Sequence, residues 1–214
     1  MPTKTRTLLA EILANIGSEL IHLELHKTKG TYICDLGGGV SGWLGLNVEA
    51  NRRDGRVGVN PVVGVRHEQI ERTVASLSEE KESHLTPTIS TSLGYLMPQS
   101  SFLEWLFEPA PFDYPSECKK LVKAIEIYGI PFMRSNDTLE GILSKLEELR
   151  FTSKDAAAYR IPVAYLLSGK PELAASYSKK QLVGVEQRSD VAAQQYKTFT
   201  FNLLQSVSSL GKRM

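Results

Sequence analysis

The chain has 214 residues, of which 42% are hydrophobic and 23% are charged, and its formal net charge is +1. This composition is that of a globular protein and excludes disorder as a description of the whole chain. No apolar run reaches the roughly 20 residues that a membrane span needs. The 2 cysteines lack paired spacing, which argues against a disulfide framework or a zinc finger.

The first part of the chain predicts a helix followed by strands. Apolar residues recur at helical spacing between Leu9 and Leu20 and predict an amphipathic helix ending near Gly17. Because acidic residues interrupt this segment, it is not predicted to be a signal peptide, and we expect a cytoplasmic protein without a membrane anchor. The period then changes to two, which is typical of strands. The predicted strands are Ile21–His26, Thr31–Leu36, Trp43–Val48, Val57–Val59 and Thr88–Met97.

Two connections between these strands carry clear signals. Gly37, Gly38 and Gly39 precede an alternating segment rather than a helix, so they predict a flexible strand connection and not a phosphate-binding loop. Asp54-Gly55 supplies the backbone conformation of a tight hairpin turn.

A charged helix begins near His67, with an apolar stripe on one side. These elements predict an antiparallel meander of about four or five strands with two helices on one face.

The second half of the chain predicts helices alone, separated by clear stop and start signals. Asp190 is predicted to open the last helix, and Pro162 to kink or restart an earlier one. The other predicted signals are a cap at Ser116, a C-terminal stop at Gly129-Ile130-Pro131, capping boxes at Asp137/Glu140 and Thr152/Asp155, and a helical hairpin at Gly169–Pro171.

The change of pattern near Pro109-Ala110-Pro111 divides the chain into two subdomains. We predict an α+β fold, with an N-terminal helix and antiparallel meander sheet in residues 1–110 and an all-helical half in residues 111–214. The two are expected to pack as one continuous body.

One segment resembles a set of metal ligands. His22, Glu24 and His26 alternate with apolar residues, and on a strand all three would point to the same side. Two histidines and a carboxylate suit zinc or non-haem iron. The same alternation is typical of a solvated strand surface, which we favour, so no metal and no cofactor is predicted. A small metal-dependent enzyme using this face is the alternative.

A surface for protein recognition is predicted on the strands and the helix start. Trp43 falls on the strand face opposite the predicted core residues, with Asn47 on the same strand. Arg52, Arg53 and Arg56 surround the hairpin turn, which should protrude where the acidic surface of a partner could reach them. Tryptophan and arginine also dominate interface energetics.

Two further segments are candidates for the same role. Arg66 and His67 follow an apolar run, and we interpret them as a second part of the recognition patch. The aromatic segment from Phe102 to Phe112 is predicted to pack as a hinge, with an interface anchor as the alternative.

The leading helix, the segments Gly42-Trp43-Leu44-Gly45-Leu46-Asn47 and Asn60–His67, and the helical tail resemble small bacterial proteins of domain-of-unknown-function families grouped with toxin-immunity proteins. The resemblance implies a cytoplasmic, non-enzymatic protein that binds one protein partner. We therefore expect a protein-binding module, of an immunity or defence type. Nucleic-acid binding is not expected, because lysines such as Lys119, Lys120 and Lys123 are typical of a solubilising helix surface. The oligomeric state is left open.

Overall fold

The computed structural model describes residues 3–50, 52–83, 85–108 and 113–211, with side chains over 6–50, 52–83, 85–108 and 113–209. The predicted change of pattern at residues 109–111, and Phe112, lie outside the described residues. The α-helices in the described ranges are α1 (Thr3–Leu20), α2 (Glu68–Leu77), α3 (Tyr114–Ala124), α4 (Ile130–Arg134), α5 (Leu139–Glu147), α6 (Lys154–Leu167), α7 (Pro171–Val183) and α8 (Val191–Gly211).

The strands form two sheets. They are β1 (His26–Thr28), β2 (Thr31–Gly37), β3 (Val40–Gly45), β4 (Val48–Glu49), β5 (Val57–Val59), β6 (Val62–His67), β7 (Ile89–Ser92) and β8 (Trp105–Phe107). The larger sheet has the order β1-β2-β3-β6-β7 and the smaller one the order β4-β5-β8. The α+β class is confirmed, with antiparallel strands before residue 108 and helices alone in the described residues 113–211.

The predicted single meander is corrected to two sheets, because the chain leaves the larger sheet after β3. Leu44 and Leu46 are buried as predicted, but Val48 is 38% exposed. Asn47 between them adopts a left-handed backbone, with φ of 33°, which breaks the alternation expected from Trp43 to Val48. The chain then enters the smaller sheet at β4.

Packing divides the chain into two compact units. The first comprises residues 1–37, 41–65 and 90–137, and the second residues 38–40, 66–89 and 138–214. The subdomain division near residue 110 stays a prediction.

The first unit has a core between α1, α3 and the smaller sheet. Ile12, Ile16 and Leu20 are fully buried, which confirms the predicted apolar face of α1. Gly17 does not end this helix, which continues to Leu20. A Cβ atom on Gly17 would lie 3.3 Å from the hydroxyl oxygen of Tyr32, so the glycine allows close packing of that ring.

The second unit is built around α6. This helix contacts α2, α5, α7 and α8, and its buried residues are Ala157, Arg160, Ile161, Pro162, Val163 and Ala164. Pro162 lies inside α6 and does not begin a new helix, and the kink stays a prediction. Gly169, with φ of 70°, turns the chain from α6 into α7, as the predicted helical hairpin requires.

Most helix starts lie close to their predicted positions. Asp190 Oδ1 accepts a hydrogen bond from the backbone N–H of Ala193 at 3.1 Å, confirming the start of α8. Other helices use a neighbouring cap: Asp113 instead of Ser116, Thr138 instead of Asp137, and Ser153 instead of Thr152. The predicted stop at Gly129 is wrong, because Ile125–Gly129 forms a π-helix that continues into α4.

Candidate functional site

The arrangement behind the metal-enzyme alternative is absent. Residues Ile21–Leu23 form a short 3₁₀-helix, and Glu24 has a left-handed φ of 58°, so no strand carries His22, Glu24 and His26 on one face. Strand β1 begins only at His26. Among the described residues, no group of three histidine, cysteine or acidic side chains is placed to hold a metal ion.

The predicted surface role of Arg66 and His67 is also corrected. Arg66 is 6% exposed and His67 is 7% exposed, so both belong to the interior of the second unit. The Arg66 guanidinium donates to the backbone carbonyl of Thr86 at 2.9 Å and to Glu82 Oε1 at 2.8 Å. It ties the segment after α2 back to the end of β6. The buried position makes this arginine a structural cross-link.

His67 caps the helix that follows it. Its Nδ1 atom accepts a hydrogen bond from the backbone N–H of Ile70 at 3.3 Å, which requires an unprotonated Nδ1. Its own backbone N–H donates to Thr88 Oγ1 at 2.9 Å. Burial lowers the pKa of His67 below its ordinary value, which favours the neutral ring. The histidine therefore organises the start of α2.

Trp43 lies half-buried on the face of β3 opposite the fully buried Leu44, as the alternation predicts. Its indole ring extends over Gly45, where an added Cβ would lie 2.6 Å from the ring. Asn47 is exposed, and its backbone carbonyl accepts a hydrogen bond from the N–H of Asn60 at 3.1 Å. The Trp43 ring thus packs against Gly45 of the same strand. Asn47 lies at the bend where the chain passes from the larger sheet to the smaller one.

The arginine segment forms the predicted hairpin turn between β4 and β5. The N–H of Gly55 donates to the carbonyl of Arg52 at 3.2 Å, and Gly55 has φ of 76°. Asp54 accepts from Arg56 twice, at Oδ1 from the backbone N–H at 3.1 Å and at Oδ2 from Nε at 2.7 Å. These bonds lower the pKa of Asp54 and raise that of Arg56. Hydrogen bonds within the segment therefore stabilise the turn.

The register of the smaller sheet separates a buried face from an outer face. Val57 and Phe107 are paired, and both are fully buried. Gly58 pairs with Glu49 on one side and with Leu106 on the other, so this row lies on the opposite face. Leu106 is 38% exposed. We call this outer face and the turn the hairpin surface, comprising Glu49, Arg52, Arg53, Asp54, Arg56, Gly58, Glu104, Leu106 and Glu108.

Ion pairs hold Arg52, Arg56 and the carboxylates of the hairpin surface, while Arg53 is exposed. Arg52 Nη1 lies 2.9 Å from Glu49 Oε2 and also 2.9 Å from Glu104 Oε2, which joins the turn to β8. The Glu104 carboxylate lies over Gly58, where a Cβ atom would overlap it. Arg56 Nη1 lies 4.0 Å from Glu108 Oε1. Arg52 and Arg56 are therefore both paired with carboxylates.

Sequence reasoning missed the acidic half of this surface. Glu104, Leu106 and Glu108 alternate with Trp105 and Phe107, a period-two signal that indicates a strand. The aromatic residues of this segment favoured the prediction of a packing role instead. Glu104, Leu106 and Glu108 complete the hairpin surface.

Asn60 positions the segment that leads into β8. Its Nδ2 donates to the carbonyl of Leu103 at 2.6 Å, and its Oδ1 accepts from Ser92 Oγ at 2.8 Å. Because Asn60 follows β5 directly, these bonds fix the position of Glu104 relative to the hairpin.

Comparison of the chain with protein-family models, with curated proteins and with solved structures finds no match. Within the part of the chain that the structure describes, none of the helices is both long enough and apolar enough to span a bilayer.

Proposed function

We propose that this chain is a non-enzymatic protein-binding module and that the hairpin surface is its binding site. The observation that carries the proposal is an exposed leucine, Leu106, surrounded by charged side chains already held in ion pairs. Protein interfaces have this arrangement, with an apolar centre and a polar rim. Side chains fixed before binding lose less conformational entropy when a partner arrives.

The charges of the hairpin surface favour a partner with basic side chains. The surface has four carboxylates (Glu49, Asp54, Glu104 and Glu108) and three guanidinium groups (Arg52, Arg53 and Arg56), so its formal charge is −1. The side chains of Glu49 and Glu108 are 60% and 59% exposed, compared with 25% for Arg52. The carboxylates of Glu49 and Glu108 are thus more accessible to a partner than the Arg52 guanidinium, and Arg53 is the exposed arginine of the surface. We therefore propose a basic contact surface on the partner, where the sequence alone favours an acidic one.

The resemblance to toxin-immunity proteins supplies the proposed class of partner. Under this proposal the partner is a protein toxin whose contact surface combines an apolar side chain for Leu106 with lysine or arginine for Glu49 and Glu108. The protein would act by covering that surface, without chemistry of its own.

Affinity measurements on variants of the hairpin surface test the proposal. A pull-down from the native host supplies the partner, and calorimetry then gives its affinity for each variant. Leu106→Asp should weaken binding at least about tenfold, because it places a charge at the apolar centre of the interface. Glu49→Lys combined with Glu108→Lys should also weaken binding, with a loss that shrinks as salt is added.

Glu186→Lys is the matched control, since it reverses one exposed charge in the second unit. It should leave the affinity unchanged. Folded Leu106→Asp protein that binds as tightly as wild type would overturn the hairpin surface as the binding site.

A further inference from the structure

Two grooves in the second unit meet at the C-terminal end of α2. The larger groove, of about 440 Å³, is lined by Ser78, Glu79 and Glu80 and by residues at the start of α8. The smaller groove, of about 220 Å³, is lined by residues of α2 and α6, including Tyr159. Ser78, Glu80 and Gln195 line both grooves, and we call these three residues the groove junction. The two grooves together have the size of a site for a small organic group.

The two carboxylates of the larger groove lie at an electrostatically unfavourable place. Glu79 and Glu80 follow the C-terminus of α2, where the helix dipole has its negative end. Neutral amides hold both side chains: Gln195 Nε2 donates to Glu80 Oε1 at 2.7 Å, and Asn202 Nδ2 donates to Glu79 Oε1 at 3.2 Å. Within the described residues neither carboxylate forms an ion pair. A cation in the groove would therefore compensate both the carboxylates and the dipole.

The charges that line the two grooves are mostly negative. The lining has three carboxylates (Glu71, Glu79 and Glu80) and one guanidinium (Arg160), so its formal charge is −2. Arg160 is already paired with Glu71, with Nε 2.8 Å from Oε1. Lys81, the next residue after Glu80, is exposed and lines neither groove. The negative charge of Glu79 and Glu80 thus faces the larger groove without a cation from its lining.

Ser78 adds a buried hydroxyl to the groove junction. The residue is 9% exposed, and in the part of the chain that the structure describes its hydroxyl has no hydrogen-bond partner. A buried hydroxyl without a partner has lost the hydrogen bonds that it makes in water, and a ligand that supplies one recovers them. Glu80 Oε2 and Gln195 Oε1 are further acceptors on the same lining. The junction therefore offers hydrogen-bond acceptors of three chemical kinds: a carboxylate, an amide and a hydroxyl.

We propose that the groove junction binds a guanidinium group carried on a short aliphatic chain, with the chain lying along the larger groove beside Val191. A guanidinium has several N–H donors in one plane and no acceptor, so it can donate to the Glu80 carboxylate, the Gln195 carbonyl and the Ser78 hydroxyl together. The site lies wholly in the second unit, and it goes beyond the proposed function of the hairpin surface.

A titration of the isotope-labelled full chain, followed by nuclear magnetic resonance, tests the proposal with butylguanidine as the probe. We expect saturable shifts of the amide signals of residues 78–80 and of the Gln195 side chain, with a Kd of about 1 mM or lower at about 0.15 M ionic strength. Butylurea has nearly the same shape but no charge, and it should bind at least about tenfold more weakly.

Variants of the junction show which groups recognise the probe. Glu80→Gln removes the charge but keeps an amide of similar size, and it should weaken binding about tenfold. Ser78→Ala should weaken binding about threefold and leave the urea midpoint of the free protein unchanged, because no hydrogen bond within the described residues is lost. Glu186→Gln is the matched control, since it neutralises an exposed carboxylate of the same unit that lines neither groove, and it should leave the affinity unchanged.

A second probe identifies the source of the guanidinium. N-acetyl-arginine amide carries the same group on a peptide backbone. Tighter binding of this probe than of butylguanidine supports the site and assigns it to an arginine side chain of a polypeptide. The reverse order supports the site and assigns it to a free small cation.

The following results would overturn the proposal. Butylurea that binds as tightly as butylguanidine means that the grooves do not recognise charge. Butylguanidine affinity that is unchanged in both Glu80→Gln and Ser78→Ala places any binding elsewhere on the protein. Calcium chloride that displaces butylguanidine at equal concentration assigns the junction to a metal ion, and wild-type protein without saturable shifts up to about 20 mM butylguanidine has no such site.

Discussion

Arg160 and Glu71 form a buried two-point ion pair. Arg160 Nε donates to Glu71 Oε1 at 2.8 Å, and Nη2 donates to Oε2 at 3.1 Å. Each residue is 9% exposed. Thr88 Oγ1 donates to Glu71 Oε1 at 2.8 Å, so one carboxylate on α2 connects to α6 and to the residue before β7. The pair is a central cross-link of the second unit.

Removing one member of this pair should strongly destabilise the protein. Glu71→Gln leaves the Arg160 charge buried without its counter-ion, and we expect a loss of about 3 kcal/mol or more in the free energy of unfolding. Urea denaturation followed by circular dichroism measures the loss. The double variant Glu71→Met/Arg160→Leu removes both charges and should recover much of the stability.

The exposed pair between Arg72 and Glu68 is the matched control. Its atoms Nη2 and Oε1 lie 3.0 Å apart, but the side chains are 67% and 39% exposed. Arg72→Ala should therefore change stability by less than about 1 kcal/mol. Similar losses for Arg72→Ala and Glu71→Gln would contradict the assignment of the buried pair as the stronger cross-link.

The pH dependence of stability should reveal the buried His67. Its folded-state pKa lies below the ordinary value, so the unfolded chain binds a proton more readily. The stabilising effect is complete above the unfolded pKa of about 6.5 and is lost as pH falls from there to the lower folded pKa. The urea concentration at the midpoint of unfolding, measured between about pH 5 and 8, should decrease as the pH falls below about 6.5.

His67→Asn provides the comparison, because asparagine caps a helix and does not titrate in this range. The difference in stability between the two proteins should change with pH below about 6.5 and stay constant above it. A difference that does not vary with pH would show that His67 titrates alike in both states.

Local chemistry explains which parts of the fold could be predicted. Asp190 caps α8 through a hydrogen bond to a residue three positions away. Such a cap can be predicted because both partners lie in the same short segment of sequence. The burial of Arg66 depends on Glu82 and Thr86, and that of Glu71 on Arg160, 89 positions along the chain. No local pattern shows those partners. The prediction from the sequence therefore put Arg66 and His67 on the surface, although both are buried.

Two wrong predictions came from patterns that fit more than one structure. Six alternating residues from Ile21 to His26 suit a strand, yet a 3₁₀ turn and the left-handed Glu24 occupy most of that segment. Gly129 before Pro131 suits a helix stop, yet Gly129 has a helical φ of −76°. A Cβ atom there would lie 3.0 Å from Val63 Cγ1, so the glycine serves a close approach to another element.

Gly94 should be intolerant of any side chain. A Cβ atom at this position would overlap the backbone carbonyl oxygen of Ser101 and lie 2.7 Å from Leu103 Cβ. Because backbone atoms cannot move aside cheaply, Gly94→Ala should cost about 1–3 kcal/mol in thermal or urea unfolding. Gly184→Ala is the control, since its Cβ would meet the carbonyl oxygen of Gln181 at an ordinary 3.4 Å. A neutral Gly94→Ala would show that the Ser101 segment shifts easily.

Tyr196 contributes its ring to the core of the second unit, while its hydroxyl should contribute little. The ring meets Tyr159 edge-on with centroids 5.1 Å apart, and burial raises the pKa of Tyr196 to about 12. Ser178 and Thr200 are its polar neighbours, yet within the described residues none of the three buried hydroxyls reaches hydrogen-bond geometry with a partner.

Deleting an unsatisfied buried hydroxyl removes no hydrogen bond, so Tyr196→Phe should leave the free energy of unfolding within about 0.5 kcal/mol of wild type or raise it. Tyr196→Ala removes the ring as well and should cost about 3–5 kcal/mol through the lost contacts and the cavity. Urea unfolding of the two variants separates the contributions. A loss of more than about 1.5 kcal/mol in Tyr196→Phe would instead indicate a hydrogen bond to Ser178 or Thr200 in solution.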